Sequence, residues 1–118
     1  MNAEDPDSNF APAAGTLGRV EFPGGPGVRV DTHVYSGTVV PPFYDSMLAK
    51  IIVTGRTRES AIMRMERALA ETRIEGVKTT VDFCRELIRD EGFQRGGFGV
   101  DWLPRYLNER STLVMERA

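Results

Sequence analysis

Two periodicities divide the chain, an alternation of apolar and polar positions up to about Val53 and a three-to-four residue recurrence after it. From Val28 to Tyr35 the alternation is clean. Val28, Val30, Thr32 and Val34 fall on one face and Arg29, Asp31, His33 and Tyr35 on the other, which predicts a half-buried strand with a polar outer side. A shorter run with Leu17, Val20 and Phe22 as its apolar members precedes it, and Pro23-Gly24-Gly25-Pro26-Gly27 between them reads as the loop of a β-hairpin. Leu48 to Val53 is an apolar stretch of β-formers whose one charge is Lys50, so a largely buried strand is expected there.

Pro41 and Pro42 stand just before that strand. Their fixed φ and missing N–H keep them out of a sheet and make a stiff bend, which aims Tyr44, Asp45 and Ser46. Residues 1 to 15 read as a short extended piece ending at Asp5-Pro6, then a coil anchored by Phe10.

The period changes at Thr57. Thr57 is suited to an N-cap with Glu59 in the first turn, and Ala61, Ile62, Met65, Ala68 and Leu69 make an amphipathic helix reaching Thr72. Its outer face carries Arg64, Glu66, Arg67 and Glu71, which read as solvated charges. A second helix is expected from Thr79, with Thr79 and Asp82 at capping-box spacing and Val81, Cys84, Leu87 and Ile88 as the buried stripe, ending near Asp90. Gly92, Gly96, Gly97 and Gly99 suggest a loop. Asp101 can then cap a short segment with Trp102, Leu103, Tyr106 and Leu107, and residues past Glu109 are expected to fray. The sum is an α+β domain over residues 1–118: a small antiparallel sheet of about four strands, two main helices and a short C-terminal helix.

Composition narrows the function. Against 15 Lys and Arg stand 17 Asp and Glu, a net charge of −2, with no basic stripe interleaved with aromatics, so nucleic acid is not an expected partner. No apolar stretch approaches the roughly 18 residues of a membrane span, and the acidic start is unlike a signal peptide, so no membrane partner is expected. The single cysteine, Cys84, forms no internal disulfide framework and fits a cytoplasmic location.

Candidate chemistry is sparse. His33 is the only histidine and reads as a hydrogen-bonded structural residue beside Asp31. A phosphate-cradling role for the glycine-rich stretch is disfavoured because a strand, not a helix N-terminus, follows it. His33, Asp45 and Ser46 contain the residue types of a hydrolase triad, but Ser46 lacks the G-x-S-x-G turn that exposes a nucleophile. Glu4 and Asp5 point to opposite faces if extended, so they read as solvated or locally paired carboxylates and not as a catalytic acid–base pair. For Asp45 two readings stand: a cap on the corner, or a group lining a binding pocket.

The run Val39-Val40-Pro41-Pro42-Phe43-Tyr44-Asp45-Ser46-Met47-Leu48-Ala49-Lys50-Ile51-Ile52 resembles the VPP-x-YDS-x-x-x-K-x-I signature of the C-terminal domain of biotin carboxylases. Asn2-Ala3-Glu4-Asp5-Pro6, Gly24-Gly25-Pro26-Gly27-Val28-Arg29, His33-Val34-Tyr35, the helix from Thr57 and Gly76-Val77-Lys78-Thr79-Thr80 follow in the family's order.

This resemblance implies part of an ATP-grasp ligase that activates bicarbonate with ATP and Mg and carboxylates biotin held on a carrier protein. It implies that the ATP-grasp portion lies outside this chain, that no catalytic residue and no metal ligand lies within it, and that the chain alone is inactive. It places Tyr44 and Asp45 on the biotin side of the active site or at the subunit contact, and Pro26, Arg29 and Arg64 at a homodimer interface. Arg29 can equally be read as an ordinary outward charge. The partners implied are the ATP-grasp portion, the biotin carboxyl carrier protein and the carboxyltransferase of an acyl-CoA carboxylase, such as acetyl-CoA carboxylase, or of pyruvate carboxylase. The alternative is a free-standing, non-catalytic interaction module.

Overall fold

Five residue pairs join the two longest strands, β5 (Val28–Thr32) and β7 (Ala49–Val53), in an antiparallel ladder. In this register Val28 faces Val53, Val30 faces Ile51 and Thr32 faces Ala49, so the apolar positions share one face. Arg29 opposite Ile52 and Asp31 opposite Lys50 make up the other. The computed structural model describes residues 1–43 and 45–117, and the side chains of these except at positions 114, 116 and 117.

Around this ladder lie short strands in three further antiparallel pairs: β1 (Glu4–Asp5) with β2 (Ala11–Pro12), β3 (Gly15–Thr16) with β6 (Val39–Val40), and β4 (Val20–Glu21) with β8 (Arg73–Ile74). The α+β class and antiparallel pairing therefore stand, with the strands divided among two-stranded ladders. The expected hairpin between 17–22 and 28–35 does not form. β4 is too short to satisfy the five-residue β5, whose apolar face is matched in length and register by β7 instead.

The helix α1 (Arg58–Glu71) begins where the sequence places it. The Thr57 side chain accepts from the Ser60 N–H and the Ser60 hydroxyl returns to Thr57, a full capping box. Glu66 is not solvent dressing, since it faces α2 (Val81–Arg89) and accepts from Arg85 and Arg89. The second capping box is absent. Thr80, not Thr79, is the N-cap of α2, and its side chain caps nothing in that helix.

A short helix, α3 (Glu91–Arg95), takes up Gly92, while Gly96, Gly97 and Gly99 lie in the loop expected of them. Asp90 accepts from the Gly92 and Phe93 N–H groups at 2.8 and 3.2 Å, and this cap offsets the poor helix propensity of Gly92. Arg58 of α1 donates to the Phe93 and Gln94 carbonyls at its other end. The last helix, α4 (Trp102–Arg117), is longer than expected. It is held past Glu109 by Arg110, which donates to Glu86 and Asp7, while Tyr106 donates to Glu86.

The core is centred on Ala3, Leu17, Val34, Val40 and Leu48, with Met1, Val20, Phe22, Ile74 and Val77 packed around it. It thus draws on the N-terminal segment, on β6 and on the start of β7 together. Among the described residues no helix is long and apolar enough to cross a membrane.

Candidate functional site

The proline corner is held on both sides. Before it, β6 is paired to β3, with Val40 buried, and after it Leu48 and Ala49 are buried at the head of β7. The Thr32 hydroxyl donates to the Leu48 carbonyl at 2.7 Å, and the Ala3 N–H to the Ser46 carbonyl at 2.7 Å. Between these anchors the chain turns through exposed Pro41, Pro42 and Phe43, and Asp45 is presented to solvent. The Asp45 Oδ1 accepts from the Met47 N–H at 3.0 Å, a side-chain turn for which aspartate is suited.

An open cavity of about 500 Å³ lies beside this corner, lined by Asp31, Thr32, His33, Asp45 and residues 47–50. One oxygen of Asp45 therefore fixes the turn while the carboxylate borders a cavity. Tyr44, its expected companion, lies outside the described residues. His33 is not the hydrogen-bonded structural residue expected: it lies just past the end of β5, exposed at the cavity, and its side chain makes no hydrogen bond among the described residues. Ser46 is not among the described residues lining the cavity, and its carbonyl is used to anchor Ala3.

The charges at the cavity are partly committed. Arg29 donates to both oxygens of Asp31, at 3.0 and 2.8 Å. These hydrogen bonds hold the Asp31 carboxyl below the usual carboxylate range and raise the guanidinium of Arg29 above its own. Lys50, directly across the ladder from Asp31, has no ion-pair partner among the described residues. The sequence does not single out Asp31 and Lys50 as site residues. Alternation shows that Asp31 faces outward, but only the β5–β7 register brings Lys50 opposite it.

Arg64 lies beside the loop that carries Pro26. The Arg64 guanidinium donates to the Thr54 carbonyl and packs against Gly27, the residue after Pro26. Gly27 has φ +73°, and a Cβ there would lie 2.9 Å from the Thr54 carbonyl oxygen, so glycine is required. Pro26 is exposed and Arg29 projects from the strand that follows. Pro26, Arg29 and Arg64 thus sit around the 23–27 loop and the strand it feeds.

Known proteins share this fold. The family described as the biotin carboxylase C-terminal domain matches residues 1–105. Biotin carboxylase of Haemophilus influenzae is 50% identical over 107 residues, 91% of this chain and 24% of that protein. Biotin carboxylase 1 of Bacillus subtilis is 48% identical over 106 residues, 90% of this chain and 24% of that protein. The biotin carboxylase domain dimer of Hydrogenobacter thermophilus 2-oxoglutarate carboxylase, solved with MgADP, ADP and bicarbonate, superimposes with a TM-score of 0.86 at 41% identity. It shares 89% of this chain and 23% of its own. The chain spans about a quarter of the length of these relatives, 24% in the first case. With its family match, its identities and its fold in agreement, this chain belongs to the biotin carboxylase C-terminal domain family.

Proposed function

We propose that this chain supplies the C-terminal part of an ATP-dependent biotin carboxylase, the ligase that carboxylates carrier-bound biotin with bicarbonate. In this reading Tyr44 and Asp45 form the biotin-side wall, and Pro26, Arg29 and Arg64 contribute to a homodimer surface. The observation that carries it is the exposed Asp45, fixed on a stiff corner at the edge of an open cavity. A carboxylate with one oxygen committed to the backbone is held in place while its other oxygen remains able to accept an N–H from a ureido ring. Leu48 and Ala49, buried beside it, keep the wall rigid.

ATP and magnesium belong, in this reading, to the ATP-grasp portion that the longer relatives possess. Among the described residues no group of three His, Cys, Asp or Glu side chains could hold a metal ion. No catalytic step is assigned to this chain. Its further partners are the carrier protein and a carboxyltransferase, in an acyl-CoA carboxylase such as the acetyl-CoA carboxylase of fatty acid biosynthesis or in a pyruvate carboxylase. The cytoplasm is the compartment in which the unpaired Cys84 is at home.

The test is a fusion of this chain behind the preceding portion of Haemophilus influenzae biotin carboxylase. The chain alone should give no biotin-dependent ATP turnover and the fusion should give it, with Asp45→Asn raising the KM for biotin and leaving that for ATP unchanged. A folded fusion without biotin-dependent turnover would overturn the proposal and favour a non-catalytic module.

A further inference from the structure

Thr80 stands at the N-cap of α2 and does not cap it. A threonine there ordinarily accepts from the second or third N–H of its own helix, yet the Thr80 hydroxyl makes no such bond. It accepts instead from the Asn2 N–H at 3.0 Å, and the Thr80 N–H donates to the Asn2 carbonyl at 3.0 Å. Thr80 is also the buried polar residue of the described chain, 8% exposed. A cap has been given up for a reciprocal pair between segments 78 positions apart.

What this pair holds is the site corner. Asn2 is bridged antiparallel to Met47. On either side of that bridge the Ala3 N–H donates to the Ser46 carbonyl at 2.7 Å and the Leu48 N–H to the Met1 carbonyl at 3.0 Å. The Met47 N–H is the donor that fixes the Asp45 carboxylate. Residues 1–3 therefore lie between Thr80 on one side and residues 46–48 on the other, and Ala3, fully buried, leaves them no room to shift. The two segments Asn2–Pro6 and Gly76–Thr80, which the biotin-side wall does not itself use, meet in this clamp. Gly76, where the second of these segments begins, packs closely on residues 16–18: at φ +103°, a Cβ on it would lie 2.9 Å from the Gly18 nitrogen.

We propose that Thr80 is a positioning residue for the Asp45 corner, acting through Asn2 and the backbone of residues 46–48. The inference that Asp45 contacts biotin rests on the function proposed above, whereas the clamp itself does not.

Hydrogen exchange on the 118-residue chain tests the clamp. Thr80→Val keeps the shape and removes the acceptor, leaving the Asn2 N–H unpaired, so exchange of the Asn2, Ala3 and Leu48 amides should accelerate about tenfold or more. Amides of the β5–β7 ladder should keep their rates, and Thr80→Ser should restore protection at all three. Unchanged rates at these amides, or acceleration shared equally by the ladder, would overturn the proposal. In the fusion enzyme Thr80→Val should raise the KM for biotin with the KM for ATP unchanged, again with rescue by serine. Selective loss of protection without any change in the KM for biotin would keep the clamp and remove Asp45 from the biotin wall.

Discussion

Glu66 of α1 and Arg89 of α2 are joined through a single carboxylate oxygen, Oε1, which accepts from the Arg89 Nε at 2.9 Å and also from Arg85 at 3.3 Å. One acid thus ties two turns of the neighbouring helix. The Arg89 hydrogen bond is the main cause that holds the Glu66 carboxyl below the ordinary glutamate range.

A pH dependence follows from that lowering. A glutamate with a depressed folded pKa stabilises the fold fully above the range where the unfolded chain protonates, and the contribution is lost as pH falls through the folded value. Urea midpoints measured from about pH 7 down to about pH 3 should therefore fall, and Glu66→Gln should flatten part of that fall. The same slope in both proteins would show that the pair contributes nothing. At pH 7 the cost of Glu66→Gln should be about 1 kcal/mol, since the group is partly screened by water.

Leu17 is the largest fully buried side chain and sits at the centre of the core cluster. Leu17→Ala should cost about 2–5 kcal/mol by chemical unfolding, through lost transfer energy and the cavity left behind. A change of only a few tenths of a kcal/mol would contradict the placement of the core at this residue.

Arg110 should anchor α4. Its Nε donates to the Glu86 oxygens at 3.2 and 2.9 Å, its other end reaches Asp7 at 3.4 Å, and its guanidinium lies 5.3 Å from the Phe83 ring centroid. Trp102, at the start of the same helix, stacks on Phe98 and Tyr106 and is the only tryptophan. Arg110→Ala should lower stability by about 1–2 kcal/mol and shift the Trp102 emission transition to lower denaturant. Coincident transitions in the two proteins would mean that α4 is held without it.

Arg29→Glu should weaken self-association if the proposed dimer surface is correct. It replaces a cation with a second acid beside Asp31, and like charges in an interface disfavour docking. Sedimentation of the chain across a concentration series should show the variant about tenfold or more shifted toward monomer. A parent chain that stays monomeric at every concentration would remove Pro26, Arg29 and Arg64 from any interface.

Much of this was legible in the sequence because it is local. Thr57 through Thr72 carries a cap, a first-turn acid and an apolar stripe, and α1 is found where they put it. The proline corner likewise needs only the backbone restrictions of Pro41 and Pro42 and the turn-forming side chain of Asp45. The missed elements depend on partners distant in sequence. Phe10 reads as an anchor, but its left-handed backbone at φ 57° and its partner Phe83, 5.1 Å away between ring centroids, have no local signal.

The sequence by itself determined the two main helices, the polar and apolar faces of β5, the stiff corner and the family. The structural features follow from spacing within a few residues or from side chains that restrict their own backbone, and the family from the resemblance of the 39–52 run and its accompanying motifs. Tertiary structure alone decided that β5 pairs with β7 and not with its chain neighbour, that Glu66 binds α2, and that Thr80 abandons its helix for Asn2. A strand edge or a hydroxyl has several possible partners nearby in sequence, and burial selects the one that leaves the fewest polar groups unpaired around a shared core.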